Sequence, residues 1–202
     1  MKKLNLFNLL TMLISLISVN VYAHDIEVQN TDGKTIYYNF INDNTELEVT
    51  FRGESFNTYD YEYSGEIVIP TSVTYQGVTY SVTSIGKEAF YNCSDMTSVT
   101  IPNSVISIGD EAFRKCWGLT SLTIPNSVTS ISKEAFAGCS GLTSVTIPNS
   151  VTTISARAFS GCSGLPSVTI PNSVTTIDVG VFYGCSGPVS YTHLTLPTIY
   201  SV

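Results

Sequence analysis

One phrase of this chain recurs every 23 residues, and that period constrains the fold more than any other feature. Phenylalanine and cysteine each recur at this spacing, at Phe90, Phe113, Phe136, Phe159 and Phe182 and at Cys93, Cys116, Cys139, Cys162 and Cys185. Ile-Pro recurs between them, at Ile101-Pro102, Ile124-Pro125, Ile147-Pro148 and Ile170-Pro171. A fixed period of about 20–50 residues is typical of solenoids, in which each unit buries its apolar side against its neighbours. We therefore predict a repeat solenoid over residues 81–187, with function on an exposed surface rather than in a catalytic pocket.

The unit from Cys139 to Gly161 illustrates the local signals. Polar and apolar residues alternate along residues 144–147, which predicts a short strand with its serine and threonine pointing outward. Pro148 ends this strand because it lacks the N–H that a ladder needs. Ser155 then occupies a helix N-cap position, so we predict a short helical turn that closes at Gly161 in a left-handed conformation. Gly138 and Gly184 are its equivalents.

The five cysteines are predicted to form a structural ladder of buried thiols. Equivalent side chains on stacked units point the same way and lie about 4.8 Å apart. A disulfide needs Cβ atoms about 3.8 Å apart that face each other, and an odd count leaves one thiol free in any case. A metal site needs ligands that converge from several directions, which an in-line row does not supply. We therefore predict no disulfide, no metal and no other cofactor.

The phrase Cys-x-x-Leu-x-x-Val-x-Ile resembles that of leucine-rich repeats, and more narrowly that of the BspA-like repeats of bacterial surface proteins. The segments CSGLTSVTIPNSVTTISARAF (Cys139–Phe159) and GEIVIPTSVTYQGVTYSVTSIG (Gly65–Gly86) carry this resemblance. It implies a β-rich leucine-rich-repeat solenoid in an extracellular or cell-surface protein that mediates adhesion and protein–protein contact.

The first 23 residues are predicted to be a secretory signal peptide. Lys2 and Lys3 precede an apolar stretch over residues 4–21, and Val21-Tyr22-Ala23 provides a small-residue cleavage site. The alternative is a membrane anchor, but asparagines interrupt the stretch, which is barely long enough to span a bilayer. We expect an exported protein with no membrane insertion after cleavage.

Residues 24–64 lack the repeat, and residues 24–80 are predicted to form a β-rich N-terminal cap, because a solenoid end exposes apolar surface. Segments 35–41 and 46–51, separated by Asn42-Asp43-Asn44, predict one hairpin, and Gln76-Gly77 predicts the turn of a second. The region is rich in tyrosine, which suggests either a stacking platform for a ligand or ordinary cross-strand packing. These tyrosines are Tyr37, Tyr38, Tyr59, Tyr61, Tyr63, Tyr75 and Tyr80.

The repeat fails after Gly187, where the chain reads PVSYTHLTLPT. This string resembles the translation of a transposase sequencing adaptor, so we interpret residues 188–202 as a non-repeat tail of that origin and the natural protein as continuing beyond Gly187. A divergent terminal cap is the biological alternative.

Charge and composition exclude several functions. Residues 24–80 contain ten Asp and Glu against two Lys and Arg, and the later residues six against five. An acidic chain of this kind is a poor ligand for nucleic acid or anionic membrane. With only two histidines, at the predicted new amino terminus and in the tail, no Ser-His-Asp or Cys-His arrangement emerges, and we predict that the protein is not an enzyme.

The candidate binding residues are the outward side chains of the predicted strands together with one exposed tryptophan. They are Ser98, Thr100, Trp117, Ser121, Thr123, Ser144, Thr146, Ser167 and Thr169. Such a hydroxyl row suits an extracellular protein or glycan ligand, although serine and threonine are also ordinary solvent-facing strand residues. Trp117 stands where the other units have serine, beside Arg114 and Lys115, and either anchors an interface or covers a neighbouring loop. Two functions remain open: an adhesin or binding module, and a passive spacer array that supports a domain missing from a truncated C-terminus.

Overall fold

The computed structural model describes residues 24–52, 62–191 and 198–199. The predicted signal peptide, Tyr59, Tyr61 and most of the tail lie outside these residues. The described residues form sixteen β-strands and no helix. Six strands precede the first full unit: β1 (Ile26–Gln29), β2 (Thr35–Ile41), β3 (Glu46–Thr50), β4 (Gly65–Val68), β5 (Ser72–Tyr75) and β6 (Val78–Ile85).

The N-terminal strands form a sheet in the order β1-β2-β3-β6-β5. β2 and β3 are antiparallel, with Tyr37 opposite Thr50, and Asn42-Asp43-Asn44 has the positive φ angles of a tight turn. β5 and β6 pair around Gln76-Gly77, so both predicted hairpins are confirmed. β3 also pairs in parallel with β6, and β6 with β8 of the first unit, so this sheet is continuous with the repeats.

The array contains two sets of parallel strands. The first strands of successive units are β7 (Met96–Thr100), β9 (Ser121–Thr123), β11 (Ser144–Thr146), β13 (Val168–Ile170) and β15 (Val189–Tyr191). The second strands are β8 (Ser107–Ile108), β10 (Ser130–Ile131), β12 (Thr153–Ile154), β14 (Thr176–Ile177) and β16 (Thr198–Ile199). β4 pairs with β7, β9 with β11 and β13 with β15, while β10, β12, β14 and β16 form one continuous ladder. Ser121 lies opposite Ser144, one 23-residue period later, so equivalent side chains form straight columns.

The predicted helical turn is wrong, because the segment after each second strand is a run of β-turns. Alternate N–H groups of residues 134–138 donate to carbonyl oxygens of residues 156–160 in the next unit, at 2.7–3.0 Å. Glu134 and Gly138 have φ angles of 54° and 76°, which a right-handed helix does not allow. Ser132, the equivalent of the predicted N-cap residue Ser155 one unit earlier, donates its hydroxyl to the carbonyl oxygen of Ile108 in the preceding unit. These backbone bonds between units make a third ladder along the solenoid.

The left-handed residue that closes each run of turns is confirmed. Gly138, Gly161 and Gly184 have φ angles of 76°, 73° and 74°. Asn92 and Lys115 occupy the same position in the first two units with φ angles of 59° and 63°, so side chains are tolerated there at some cost.

The core consists of columns of identical or similar apolar side chains. Phe90, Phe113, Phe136 and Phe159 are fully buried, and consecutive rings stack with centroids 4.9–5.3 Å apart and planes within 8–13°. Phe182 extends the stack at 5.8 Å and is only partly buried. Close, nearly parallel contact along the whole column makes this stack the main packing element between units.

Tyrosine from the N-terminal segment joins the same core. The Tyr63 ring lies 4.7 Å from that of Phe90 and 6.1 Å from that of Tyr37. The Tyr63 hydroxyl donates to the carbonyl oxygen of Thr50 at 2.8 Å. Tyr37, Tyr38 and Tyr63 are therefore buried packing residues, which rules these three out as an exposed stacking platform.

Candidate functional site

The first strands place the predicted binding residues on one side of the solenoid, called the strand face here. Its row consists of Ser98, Thr100, Ser121, Thr123, Ser144, Thr146, Ser167 and Thr169. Ser98 is half-buried and the other seven are exposed, whereas the residues between them pack inward. Ser144 and Thr146 lie directly opposite Ser121 and Thr123, so their side chains form two parallel columns.

The hydroxyl groups of this row make no hydrogen bond to any other residue that the structure describes. Several hydroxyls elsewhere in the array join neighbouring units. Thr143 Oγ1 donates to the carbonyl oxygen of Thr120 at 3.0 Å, and Ser150 Oγ donates to that of Val128 at 2.7 Å. The strand face is distinguished by two in-register columns of such hydroxyls, whose donors and acceptors remain available to a ligand.

A second polar row borders the strand face where its strands end. Asn103, Asn126 and Asn149 are exposed and in register, one in each unit. Two shallow depressions of about 370 and 410 Å³ lie along this border, and both are lined by Thr146 and Asn149. From the sequence alone, an asparagine directly after a strand-ending proline indicates only a turn. The signal that identifies them is the fixed position of asparagine after each Ile-Pro.

No charged side chain of the array's described residues lies on the strand face. The eleven charged residues after Ser81, six acidic and five basic, all lie between the end of a second strand and the next first strand. Within the array the face is therefore polar but uncharged, with charge confined to the turn edge beside it. Glu66 of β4, opposite Ser98, carries the first charge beyond the amino-terminal end of the face.

Trp117 lies on that turn edge, at the border that precedes β9, and is 49% exposed. The neighbouring cations contact a different ring: Lys115 Nζ lies 5.3 Å and Arg114 Cζ 6.0 Å from the centroid of Tyr91. Arg114 also pairs with Glu111 and Glu134, at 2.7 Å each. The structure thus places Trp117 beside the strand face and not within its hydroxyl row.

The five cysteines lie in one row inside the solenoid and are all free. Cys116, Cys139 and Cys162 are fully buried, and each Sγ donates to the carbonyl oxygen of the phenylalanine 26 residues earlier, at 3.0–3.2 Å. Burial raises the pKa of the Cys93 thiol to about 12 and also raises the pKa of Cys116, Cys162 and Cys185. Thiols held neutral in this way are poor nucleophiles and poor metal ligands.

Thiol titration tests this arrangement. In native, unreduced protein we expect slow reaction with a disulfide reagent, with Cys185 first because it is the least buried of the five. After unfolding in denaturant without reductant, all five thiols should react. One reactive thiol or none would instead mean that the cysteines are paired.

Among the carboxyl groups that the structure describes, that of Glu62 has a markedly raised pKa. Burial raises its pKa to about 7, while the backbone N–H of Arg52 donates to it at 2.6 Å. The Glu62 carboxyl therefore binds its proton more tightly in the folded chain than in the unfolded chain. Its contribution to the free energy of unfolding is complete below about pH 4.5 and is lost as the pH rises through about 7.

Glu62→Gln tests that assignment, since the amide is neutral at every pH and keeps an oxygen for the N–H of Arg52. We expect its free energy of unfolding, relative to the parent, to rise by about 1–2 kcal/mol between pH 4.5 and 8, after allowance for partial solvent screening. Urea denaturation of both proteins across this range measures the difference. A constant difference at all pH values would show that Glu62 titrates normally.

Within residues 24–52 and 62–191 no group of three or more His, Cys, Asp or Glu side chains is placed to hold a metal ion. None of the described segments forms a helix long and apolar enough to cross a bilayer.

Comparison with known proteins establishes the family. Residues 70–188 match the model of the BspA type leucine rich repeat region, in six copies. The chain belongs to the BspA-type leucine-rich-repeat family. Its fold and family are those of repeat proteins that serve as scaffolds for protein–protein interaction. No curated protein sequence matches it.

Solved structures agree. A leucine-rich repeat protein from Bacteroides ovatus is 36% identical, with a TM-score of 0.68, over 77% of this chain and 39% of that one. A leucine rich cell surface protein from Faecalibacterium prausnitzii is 26% identical, with a TM-score of 0.50, over 86% of this chain and 57% of that one. The T. pallidum leucine rich repeat protein, 24% identical with a TM-score of 0.62, shares the fold over 82% of both chains. This BspA-type chain thus spans about two fifths of the length of the Bacteroides protein.

Proposed function

We propose that this BspA-type array is an exported, cell-surface binding module whose strand face takes an extended segment of an extracellular protein and thereby mediates adhesion. The observation that carries the proposal is the row of hydroxyls that form no hydrogen bond to the rest of the described chain. Several other hydroxyls of the array, such as those of Thr143 and Ser150, join one unit to the next, whereas all eight of this row are open to a ligand.

Charge distribution supports a protein as the ligand. Cores of protein interfaces are depleted of charged residues, while their rims are polar and solvated. The strand face follows that pattern, because its hydroxyl columns carry no charge and the charged side chains lie along the turn edge. Removing an uncharged hydroxyl surface from water costs much less than removing ions, provided that the partner supplies hydrogen bonds.

Export and surface location rest on the predicted signal peptide over residues 1–23 and on the family. The Faecalibacterium prausnitzii relative, described as a cell surface protein, is consistent with this location. Amino-terminal sequencing of protein recovered from outside the cell should begin at His24. Retention inside the cell with Met1 intact would contradict export.

We also propose that residues 24–80 cap the first unit. β6, which begins in this region, continues to Ser84 and Ile85 and pairs there with β8, and the Tyr63 ring covers the first phenylalanine of the stack. A cap of this kind keeps the apolar end of the column away from water and from other chains.

The binding proposal is tested by offering the purified chain to an immobilised panel of fibronectin, laminin, type I collagen and host glycans. We expect saturable, reversible binding to at least one protein surface and none to a surface coated with albumin. Binding only to glycans would contradict a protein ligand and identify a glycan as the ligand instead. Absence of binding to every surface would favour the passive spacer.

A further inference from the structure

The turn edge carries three columns of residues whose size changes abruptly after the second unit. Their positions are the residue after the core phenylalanine, the residue before the cysteine and the residue after it, which in the second unit are Arg114, Lys115 and Trp117. The next two units have only small residues at these positions: Ala137, Gly138, Ser140, Ser160, Gly161 and Ser163. The large side chains, called the ledge here, therefore stand above a low floor.

A depression of about 280 Å³ lies at the foot of the ledge. Arg114 and Lys115 line one side, Gly138 lies on its floor, and Glu134 and Arg157 complete it. A Cβ atom built on Gly138 would lie 3.7 Å from the backbone of Lys115, so the floor runs directly up to the ledge.

Charge at this depression is positive and partly unneutralised. Three cations face two carboxylates, but Arg114 already holds both Glu111 and Glu134 at 2.7 Å. Arg157 is 3.9 Å from Glu134 and its side chain is 65% exposed. Lys115 forms no ion pair with any described residue. Lys115, whose Nζ lies over the Tyr91 ring, and Arg157, whose contact with Glu134 is long, are thus the two cations without a close carboxylate, and they stand on opposite sides of the floor.

Aromatic side chains mark both ends of this surface. Trp117, 49% exposed, belongs to the ledge itself. Tyr183, 78% exposed, lies two units beyond the floor's first glycine. A Cβ atom on Gly180 would contact both the Arg157 side chain and Tyr183, so these two residues are neighbours. Exposed aromatics beside cations are typical anchors of protein interfaces.

We propose that the ledge and the depression below it bind an extended acidic polypeptide segment, independently of the strand face. Same-face side chains of an extended segment are about 7 Å apart, and stacked units about 4.8 Å apart. Two alternate glutamates therefore reach Lys115 and Arg157, whose backbones are two units apart and whose side chains are long. The segment's remaining surface packs against Trp117.

The experiment uses Trp117 as its own probe, because it is the single tryptophan of the chain. The purified chain is titrated with a short, end-blocked peptide of alternating glutamate and serine, and separately with its glutamine counterpart. We expect a saturable change in tryptophan emission with the glutamate peptide that weakens as salt is added, and none with glutamine. No change with the glutamate peptide at millimolar concentration overturns the proposal.

Matched variants separate a site from general attraction. Lys115→Gln with Arg157→Gln should weaken peptide binding about tenfold or more. Lys87→Gln with Lys133→Gln removes the same charge from the same edge and should leave binding within about twofold. Equal losses in the two double variants, with circular dichroism unchanged, overturn the site, as does tighter binding of polygalacturonate than of the peptide. Thr146→Arg on the strand face should leave peptide binding unchanged. The peptide experiment can therefore contradict this proposal without contradicting the proposed function of the strand face.

Discussion

Phe136→Ala should lower the free energy of unfolding by about 3–5 kcal/mol. The Phe136 ring is fully buried between Phe113 and Phe159, with both centroids 5.3 Å away. The cavity left by the substitution resists collapse, because backbone hydrogen bonds from the flanking turns fix the spacing of the units. The backbone N–H of Phe136, for example, donates to the carbonyl oxygen of Ala158 at 2.9 Å. Denaturant titration followed by circular dichroism measures the loss.

Phe182→Ala is the matched control, because the same ring type is deleted from the end of the same column. Phe182 is partly buried and stacks on Phe159 at 5.8 Å. We expect a loss of about 1–2 kcal/mol, since less apolar surface and a smaller cavity are involved. Equal losses for the two variants would mean that the stack is not the packing element that joins the units.

Gly141→Ala should destabilise the array by about 3 kcal/mol. A Cβ atom at Gly141 would overlap the backbone carbonyl oxygen of Trp117 in the preceding unit. Gly118 and Gly164 meet equivalent carbonyl oxygens, of Ser94 and Ser140. Because the obstacle is backbone held in a ladder, the added methyl group forces whole units apart. Thermal and chemical unfolding of the variant measure this loss.

Gly138→Ala separates this steric effect from backbone conformation. A Cβ atom at Gly138 would meet nothing closer than 3.7 Å, but its φ of 76° disfavours any side chain. The expected loss is about 1 kcal/mol. If Gly138→Ala lowers the free energy of unfolding as much as Gly141→Ala does, the units do not approach each other closely at Gly141.

The repeat period predicted much of the fold because each unit carries its own alternation. Inward Ile147 and outward Ser144 and Thr146 follow from a period of two, and β11 lies where that alternation occurs. Gly141 could not be singled out in the same way. Its requirement arises from the carbonyl oxygen of another unit, which no local pattern within one unit reveals.

The helical turn was mispredicted for a related reason. Ser155 followed by alanine and arginine suits a helix start by local propensity, but the Arg157 N–H finds its acceptor in the next unit, at the carbonyl oxygen of Val179. A tertiary ladder thus overrode a local signal. The asparagine row could not be predicted because Ile-Pro-Asn in a single unit indicates only a turn. The asparagines form a surface row only when the units stack.

Comparison of two arginine substitutions tests the central claim, that the strand face is the binding surface, most directly. Thr146→Arg places a charge in the hydroxyl row, whereas Thr129→Arg places the same charge on an exposed residue before β10, outside that row. Surface plasmon resonance measures the affinity of each chain for whichever panel protein binds the parent. We expect Thr146→Arg to bind at least about tenfold more weakly than the parent and Thr129→Arg to bind as tightly as the parent. Equal affinities for the parent and Thr146→Arg, or an equal loss in both variants, would contradict the assignment of this face.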